Sequence, residues 1–217
     1  MIFQDPYESL NPRWTIKDII KEPLDIHNIG ALNDREEAVI EILRTVGLTP
    51  PENYLARYPH EISGGQRQRV SIARTLIMKP KFVICDEPTS MLDVSIRISI
   101  MDLMLNLAKD LDVSYLYITH DLAVARYMCN RIAVMFNGKI VEIAETEELL
   151  KNPIHPYTKR LISSIPIPDP SYIRERYQIN YDEIEKIILN NPDKKMIDVG
   201  NEHFVASHDT KDYLIES

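Results

Sequence analysis

The chain has 217 residues, enough for one domain with a sizeable core and an appendage. It is 44% hydrophobic and 27% charged, with a net charge of -8, a soluble profile that argues against a nucleic-acid partner. No stretch approaches the ~18 apolar residues of a membrane span, and the start, Met1 to Pro6, lacks the basic and apolar regions of a signal peptide.

Residues 1–14 read as loop, broken by Pro6, Asn11 and Pro12. Residues 15–60 read as helical. Asp34 is placed to cap a helix whose apolar Ala38, Val39, Ile42, Leu43 and Val46 recur at helical spacing, and Gly47 closes it. Ser63-Gly64-Gly65 lead into a second helix over 66–78, which turns Val70, Ala73, Leu76 and Ile77 inward and stops at Pro80. The apolar run 82–85 reads as a parallel strand buried on both faces. A helix over about 95–111 follows, then a second buried strand, 115–118, that delivers Thr119-His120, and a helix over 122–129. Residues 131–136 and 139–143 flank Asn137-Gly138, the strongest short hairpin signal. Pro153, Pro156, Pro166, Pro168 and Pro170 mark a stiff exit into an acidic tail, with one amphipathic helix expected around Ile184, Ile187 and Ile188.

This order of elements is α/β with a mostly parallel sheet. Polar groups at the C-terminal ends of such strands line the usual ligand crevice, and Asp86, Glu87 and His120 fall there. Asp86 is placed to hold a Mg²⁺ shell near phosphates, Glu87 to polarise an attacking water, and His120 to contact a terminal phosphate. The bland reading of Asp86-Glu87 is a charged loop start. The two cysteines, Cys85 and Cys129, form no C-x-x-C and fit a reducing compartment, with Cys85 a core residue. His60-Glu61 opens like a zinc-protease motif, but Gly64 stands where its second histidine belongs.

Ser63-Gly64-Gly65-Gln66 is a helix entry with a hydroxyl and exposed N–H groups at the positive helix end, suited to an anion. The bland reading is an ordinary serine cap. Arg67-Gln68-Arg69 after it, and an apolar strand with Asp-Glu about twenty residues on, make the pattern specific. Gln4 alone reads as surface, and Asp93 has the alternative of capping the next helix. The sequence contains no G-x-x-x-x-G-K-[ST] loop. Of its six glycines only Gly138 precedes a lysine, Ile140 follows where a hydroxyl is needed, and Ala133 stands where the first glycine belongs.

With these residues in hand, the chain resembles the ATP-binding subunit of an ABC transporter. Residues 62–66 resemble the signature motif, with Ile62 for the usual Leu; 82–87 resemble Walker B; and 90–93 the D-loop, with Met91 where Ala is common. His120 matches the switch histidine and Gln4 the Q-loop glutamine. The stretches 3–13 and His155-Pro156-Tyr157-Thr158 resemble the oligopeptide/dipeptide importer branch. The resemblance implies an incomplete P-loop NTPase-type fold lacking the N-terminal P-loop part. It implies a nucleotide-binding domain over 1–150, with a helical signature subdomain at about 15–78, and a C-terminal extension over 151–217.

The resemblance further implies that ATP and Mg²⁺ are bound. Glu87 and His120 are then catalytic; Gln4, Ser63, Gly64, Gly65, Gln66, Asp86 and Asp93 touch nucleotide; and Asp86 and Gln4 (the latter through water) serve the metal. Two ATPase subunits, as homo- or heterodimer, would sandwich ATP at the cytoplasmic face of the membrane, docked to membrane-spanning permease subunits. Ser63, Gly64 and Gly65 would meet ATP held by the partner. Residues 203–208 resemble a tail that binds an iron–sulfur cluster in some members, but Ser207 replaces its cysteine, so no cluster is expected. The leading expectation is a transport-coupled ATPase, inactive as these 217 residues alone because the P-loop is missing. The competing ones are a non-catalytic partner that lends only its signature motif to a full-length ATPase, and a soluble ABC ATPase of translation or DNA repair. The acidic balance and the 155–158 stretch disfavour the last.

Overall fold

The structure is a computed structural model that describes residues 1–164 and 195–206. The helix expected around Ile184, three of the five exit prolines and Ser207 lie outside the described residues. Two compact units divide the chain, Met1–His120 and Asp121–Ser217.

The first unit opens with a surprise. Within the expected loop stands a short helix, α1 (Pro6–Ser9), because the Asp5 carboxylate accepts the Tyr7 N–H and Pro6 fills the first helical position. The helical stretch that follows is three helices, α2 (Ile16–Ile26), α3 (Leu32–Thr45) and α4 (Glu52–Leu55). Asp34 does serve the start of α3, but from its third position: Ala31 is the N-cap residue and donates its N–H to the Asp34 carboxylate. Val39, Ile42, Leu43 and Val46 are buried as their spacing implies, and Gly47 ends the helix at φ +73°.

Helix α5 (Gly64–Leu76) begins two residues earlier than expected, because both glycines are already helical behind the Ser63 cap. Its Val70, Ala73, Leu76 and the following Ile77 are buried. Strand β1 (Phe82–Asp86), helix α6 (Val94–Asp110) and strand β2 (Ser114–Ile118) complete the unit. The two strands pair in parallel from Phe82 opposite Ser114 to Asp86 opposite Ile118, and a single parallel bridge joins Ile2 to Cys85 on the other side of β1.

Burial of this ladder differs from expectation. Both strands were expected to be covered on both faces. Side chains alternate across a ladder: on one face Val83 and Cys85 are buried and Tyr115 and Tyr117 half-buried, while Phe82, Leu116 and Ile118 on the opposite face are exposed. The physical reason is that among the described residues the ladder has only two strands and one bridge.

The second unit holds α7 (Leu122–Met128), β3 (Arg131–Phe136), β4 (Lys139–Glu145), α8 (Thr146–Lys151), α9 (Pro156–Ser163), β5 (Met196–Asp198) and β6 (Phe204–Ala206). The Asn137-Gly138 hairpin forms as expected, with both residues at positive φ as a tight primed turn requires. The antiparallel sheet runs β3-β4-β6-β5, so two short tail strands extend the hairpin. Leu122, Ala125, Ile132, Val134, Val141, Ala144 and Leu149 form its core.

Candidate functional site

Glu87 is placed by the backbone on either side of it. Ile2 N–H donates to Ile84 C=O at 2.8 Å, Asp86 N–H to Ile2 C=O at 2.9 Å, and Glu87 N–H to Ile118 C=O at 3.0 Å. The ends of three extended segments therefore meet where β1 stops. Glu87 itself sits at φ +43°, a left-handed conformation that a side-chain-bearing residue adopts at an energetic cost of ~1–3 kcal/mol. The Ser90 N–H and hydroxyl both donate to its carbonyl, closing the turn.

This turn aims the Glu87 carboxylate between two of the residues singled out from the sequence. Gln4 Nε2 donates to Oε2 at 3.2 Å, and His120 Nδ1 lies 2.6 Å from Oε1. A carboxylate only accepts, so Nδ1 carries a proton toward Glu87, and Nε2 is the ring nitrogen not engaged with that carboxylate. The His120 side chain is 75% exposed and that of Glu87 21%. Gln4, Glu87 and His120 thus form one solvent-accessible group, with Asp86 next to it on the strand end. A carboxylate so held is oriented to align a water, and the imidazole beside it offers a second polar contact to a ligand.

The signature-like residues form a separate structure at the start of α5. Ser63 Oγ accepts the Gln66 N–H at 3.3 Å and Gln66 Oε1 accepts the Ser63 N–H at 3.0 Å, a reciprocal capping box. Gln66 Nε2 also donates to the Tyr54 hydroxyl at 3.4 Å. Gln66 is therefore engaged within its own chain, while the helix end keeps its unfilled N–H groups and positive pole. Asp93 occupies the N-cap position of α6 without any side-chain capping bond. Neither Ser63, Gly64, Gly65 nor Asp93 bonds to the Glu87 group among the described residues.

Two features escaped the sequence. The Arg67 guanidinium lies 3.8 Å from the centre of the Tyr7 ring and donates to Pro59 C=O, and Arg74 donates to Ser9 C=O at 3.0 Å and to Glu22 at 2.7 Å. These arginines, seven apart on one face of α5, fasten the segment that follows Gln4. In the second unit, Glu142 is fully buried and accepts Ile154 N–H at 2.8 Å, His155 N–H at 3.1 Å and His203 Nε2 at 2.7 Å. The i, i+7 arginine spacing was readable as a signal; a glutamate on a strand was not.

The family description "ABC transporter" matches residues 1–90, and "Oligopeptide/dipeptide transporter, C-terminal region" matches residues 141–191. The chain is 50% identical over 206 residues to the oligopeptide transport ATP-binding protein OppF of Bacillus subtilis (strain 168), covering 94% of this chain and 67% of that protein. The chain belongs to the ABC transporter family. It is also 48% identical over 208 residues to the dipeptide transport ATP-binding protein DppF of Lactococcus lactis subsp. cremoris (strain MG1363), covering 95% of this chain and 65% of that protein. It spans about two thirds of the length of these two relatives. Among solved structures it resembles cbiO1 from Clostridium perfringens, part of the ABC transporter complex cbiONQ, with TM-score 0.61, 28% identity and coverage of 70% of this chain and 58% of that one. It also resembles the ATP-binding cassette MJ0796 in a dimeric post-hydrolysis state bound to ADP and Pi, with TM-score 0.55, 29% identity and coverage of 67% and 63%. The α/β fold of this ABC transporter chain is accordingly of the P-loop NTPase type. Among its described residues no helix is long and apolar enough to cross a membrane.

Proposed function

We propose that this chain belongs to an ATP-hydrolysing subunit that energises uptake of oligopeptides or dipeptides. The observation that carries the reading is the Gln4–Glu87–His120 group at the end of β1. Glu87 orients the attacking water through its carboxylate, held between Gln4 and His120. His120, its ring fixed by Glu87, donates from Nε2 to the terminal phosphate when both ring nitrogens carry a proton. Gln4 senses the same phosphate and links it to α1 and the arginines of α5. The helix entry of Ser63, Gly64 and Gly65, supported by Gln66, faces ATP held by a second subunit, and Asp93 serves the contact between the two. Residues 1–150 make up the nucleotide-binding part and 151–217 the extension. Membrane-spanning permease subunits dock on the assembly at the cytoplasmic face. A chain that only lends its signature motif to another ATPase has no need of the joined Gln4–Glu87–His120 group, which disfavours that alternative.

The residues present fit Mg²⁺. Asp86 offers a carboxylate at the strand end, and Gln4, which spends its amide nitrogen on Glu87, keeps its amide oxygen for a metal-bound water. Both are hard oxygen donors. Among the described residues no cluster of three or more His, Cys, Asp or Glu side chains forms a cage of its own, which suits a cation that keeps phosphate and water ligands. When bound, Mg²⁺ offsets phosphate charge. The test is ATP turnover by the assembled transporter. Glu87→Gln lowers it by about 100-fold or more; turnover within threefold of wild type sinks the assignment.

A further inference from the structure

A glycine is required for one of three reasons: a positive φ, a close approach by its own chain, or a close approach by something else. Gly64 and Gly65 both lie in the first turn of α5 at ordinary helical φ, so the first reason applies to neither. The second separates them. A Cβ at Gly64 would lie 3.8 Å from Leu92 Cδ2, an ordinary contact. A Cβ at Gly65 would lie 2.7 Å from Ile96 Cγ2, and 4.0 Å from its Cδ1. The atom in the way is the branch methyl of a β-branched residue in the first turn of α6, whose χ1 has one strongly preferred setting in a helix.

From this contact we infer that Ile96 is a positioning residue: its Cγ2 fills the space over Gly65 and so sets the distance between the signature helix and the turn of α6 that Asp93 opens. The inference rests on the functional reading above and deepens it. Leu92 and Ile96 flank Asp93 and lie where side chains at positions 64 and 65 would point, with room at 64 and none at 65, so the spacing between the signature entry and the Asp93 turn depends on residue 65. Any side chain at position 65 pushes them apart by several tenths of an ångström or more, and displacements approaching 1 Å are enough to cost a site up to about 100-fold in rate. Gly64 has no such need within its own chain.

The test is a set of variants of the full chain, read by ATP turnover of the assembled transporter and by its melting temperature. Gly65→Ala lowers both, with turnover down about 10- to 100-fold. Adding Ile96→Leu, which keeps the volume but removes the Cγ2 branch, returns turnover to within about threefold of wild type and restores the melt. Adding Ile96→Val, which keeps Cγ2 and loses only Cδ1, restores neither. Gly64→Ala leaves the melt unchanged, and Ile96→Leu does not rescue its turnover. Equal behaviour of the two Gly65 double variants, or an unchanged melt in Gly65→Ala, overturns the inference. An assembly whose wild type lacks ATPase activity sinks the functional reading instead, and the melting temperatures still decide the packing.

Discussion

Glu87 and Glu142 each hold a histidine, at 2.6 and 2.7 Å, in opposite surroundings. Glu87 sits on a strained turn in the first unit, and its partner His120 is three-quarters exposed. Glu142 lies in the middle of β4 in the second unit, 0% exposed, and its partner His203 is 2% exposed. His203 Nδ1 also lies 3.8 Å from Glu148 at the edge of the cluster. The first pair has few internal bonds and an open side toward solvent. The second spends its acceptors on two backbone N–H groups and a ring nitrogen, and so ties the start of α9 and the tail strands to the hairpin. On the function proposed above, one chemical pair serves reaction in the first place and architecture in the second, and the surroundings decide which. An exposed pair contributes at most ~1 kcal/mol to stability, whereas removing one member of a buried pair costs about 3–5 kcal/mol.

The largest expected effect follows from the buried side. Glu142→Ala leaves three donors without their acceptor and should destabilise the second unit by about 3–5 kcal/mol. Denaturant unfolding reads it, and a loss below about 1 kcal/mol would break the contrast. His203→Ala leaves the Glu142 carboxylate its two backbone donors, so its loss falls at the lower end of that range, about 3 kcal/mol. His120→Ala, by the same unfolding measurement, should change stability by less than about 0.5 kcal/mol, while lowering turnover of the assembled transporter by about 100-fold. Backbone strain gives a separate test: Glu87→Gly should unfold about 1 kcal/mol less readily than Glu87→Gln, since glycine adopts positive φ freely. A lower stability for the glycine variant would remove strain from the account.

How much of this was legible in the sequence divides along the same line. The Asn137-Gly138 hairpin, the apolar spacing of α3 and α5, and the polar residues at the end of β1 follow from local rules and are where those rules put them. Helix α1 obeys a local rule too, since Asp5-Pro6 is a cap followed by proline, although Pro6, Asn11 and Pro12 together also read as loop breakers. What sequence could not reveal depends on distant partners. Glu142 reads as the solvent face of an alternating strand, and only its meeting with His203, 61 positions on, buries it. Strands β5 and β6, three residues each, carry too little pattern to stand out. Gln4 gained its meaning from Glu87, 83 positions away.

A further expected effect concerns pH and is confined to the alkaline range. Burial pushes the Tyr115 phenol on β2 up to about 12 from its ordinary 10.0, with Cys85 adding to the shift. A raised phenol in the folded state means that stability is intact below pH 10.0 and is lost as pH rises through about 12. Tyr115→Phe should flatten that alkaline loss without lowering stability at neutral pH, because the buried hydroxyl has no hydrogen-bond partner among the described residues to lose. A steeper alkaline loss in the phenylalanine variant would contradict this.

The most direct single measurement compares Glu87→Gln with Glu142→Gln in the same assembled transporter, reading ATP turnover and melting temperature together. A crossed result is expected: turnover falls about 100-fold with an unchanged melt for position 87, and the melt falls by several degrees for position 142. Turnover retained in Glu87→Gln, or parallel losses of melting temperature in both variants, would contradict the division of labour between the two pairs.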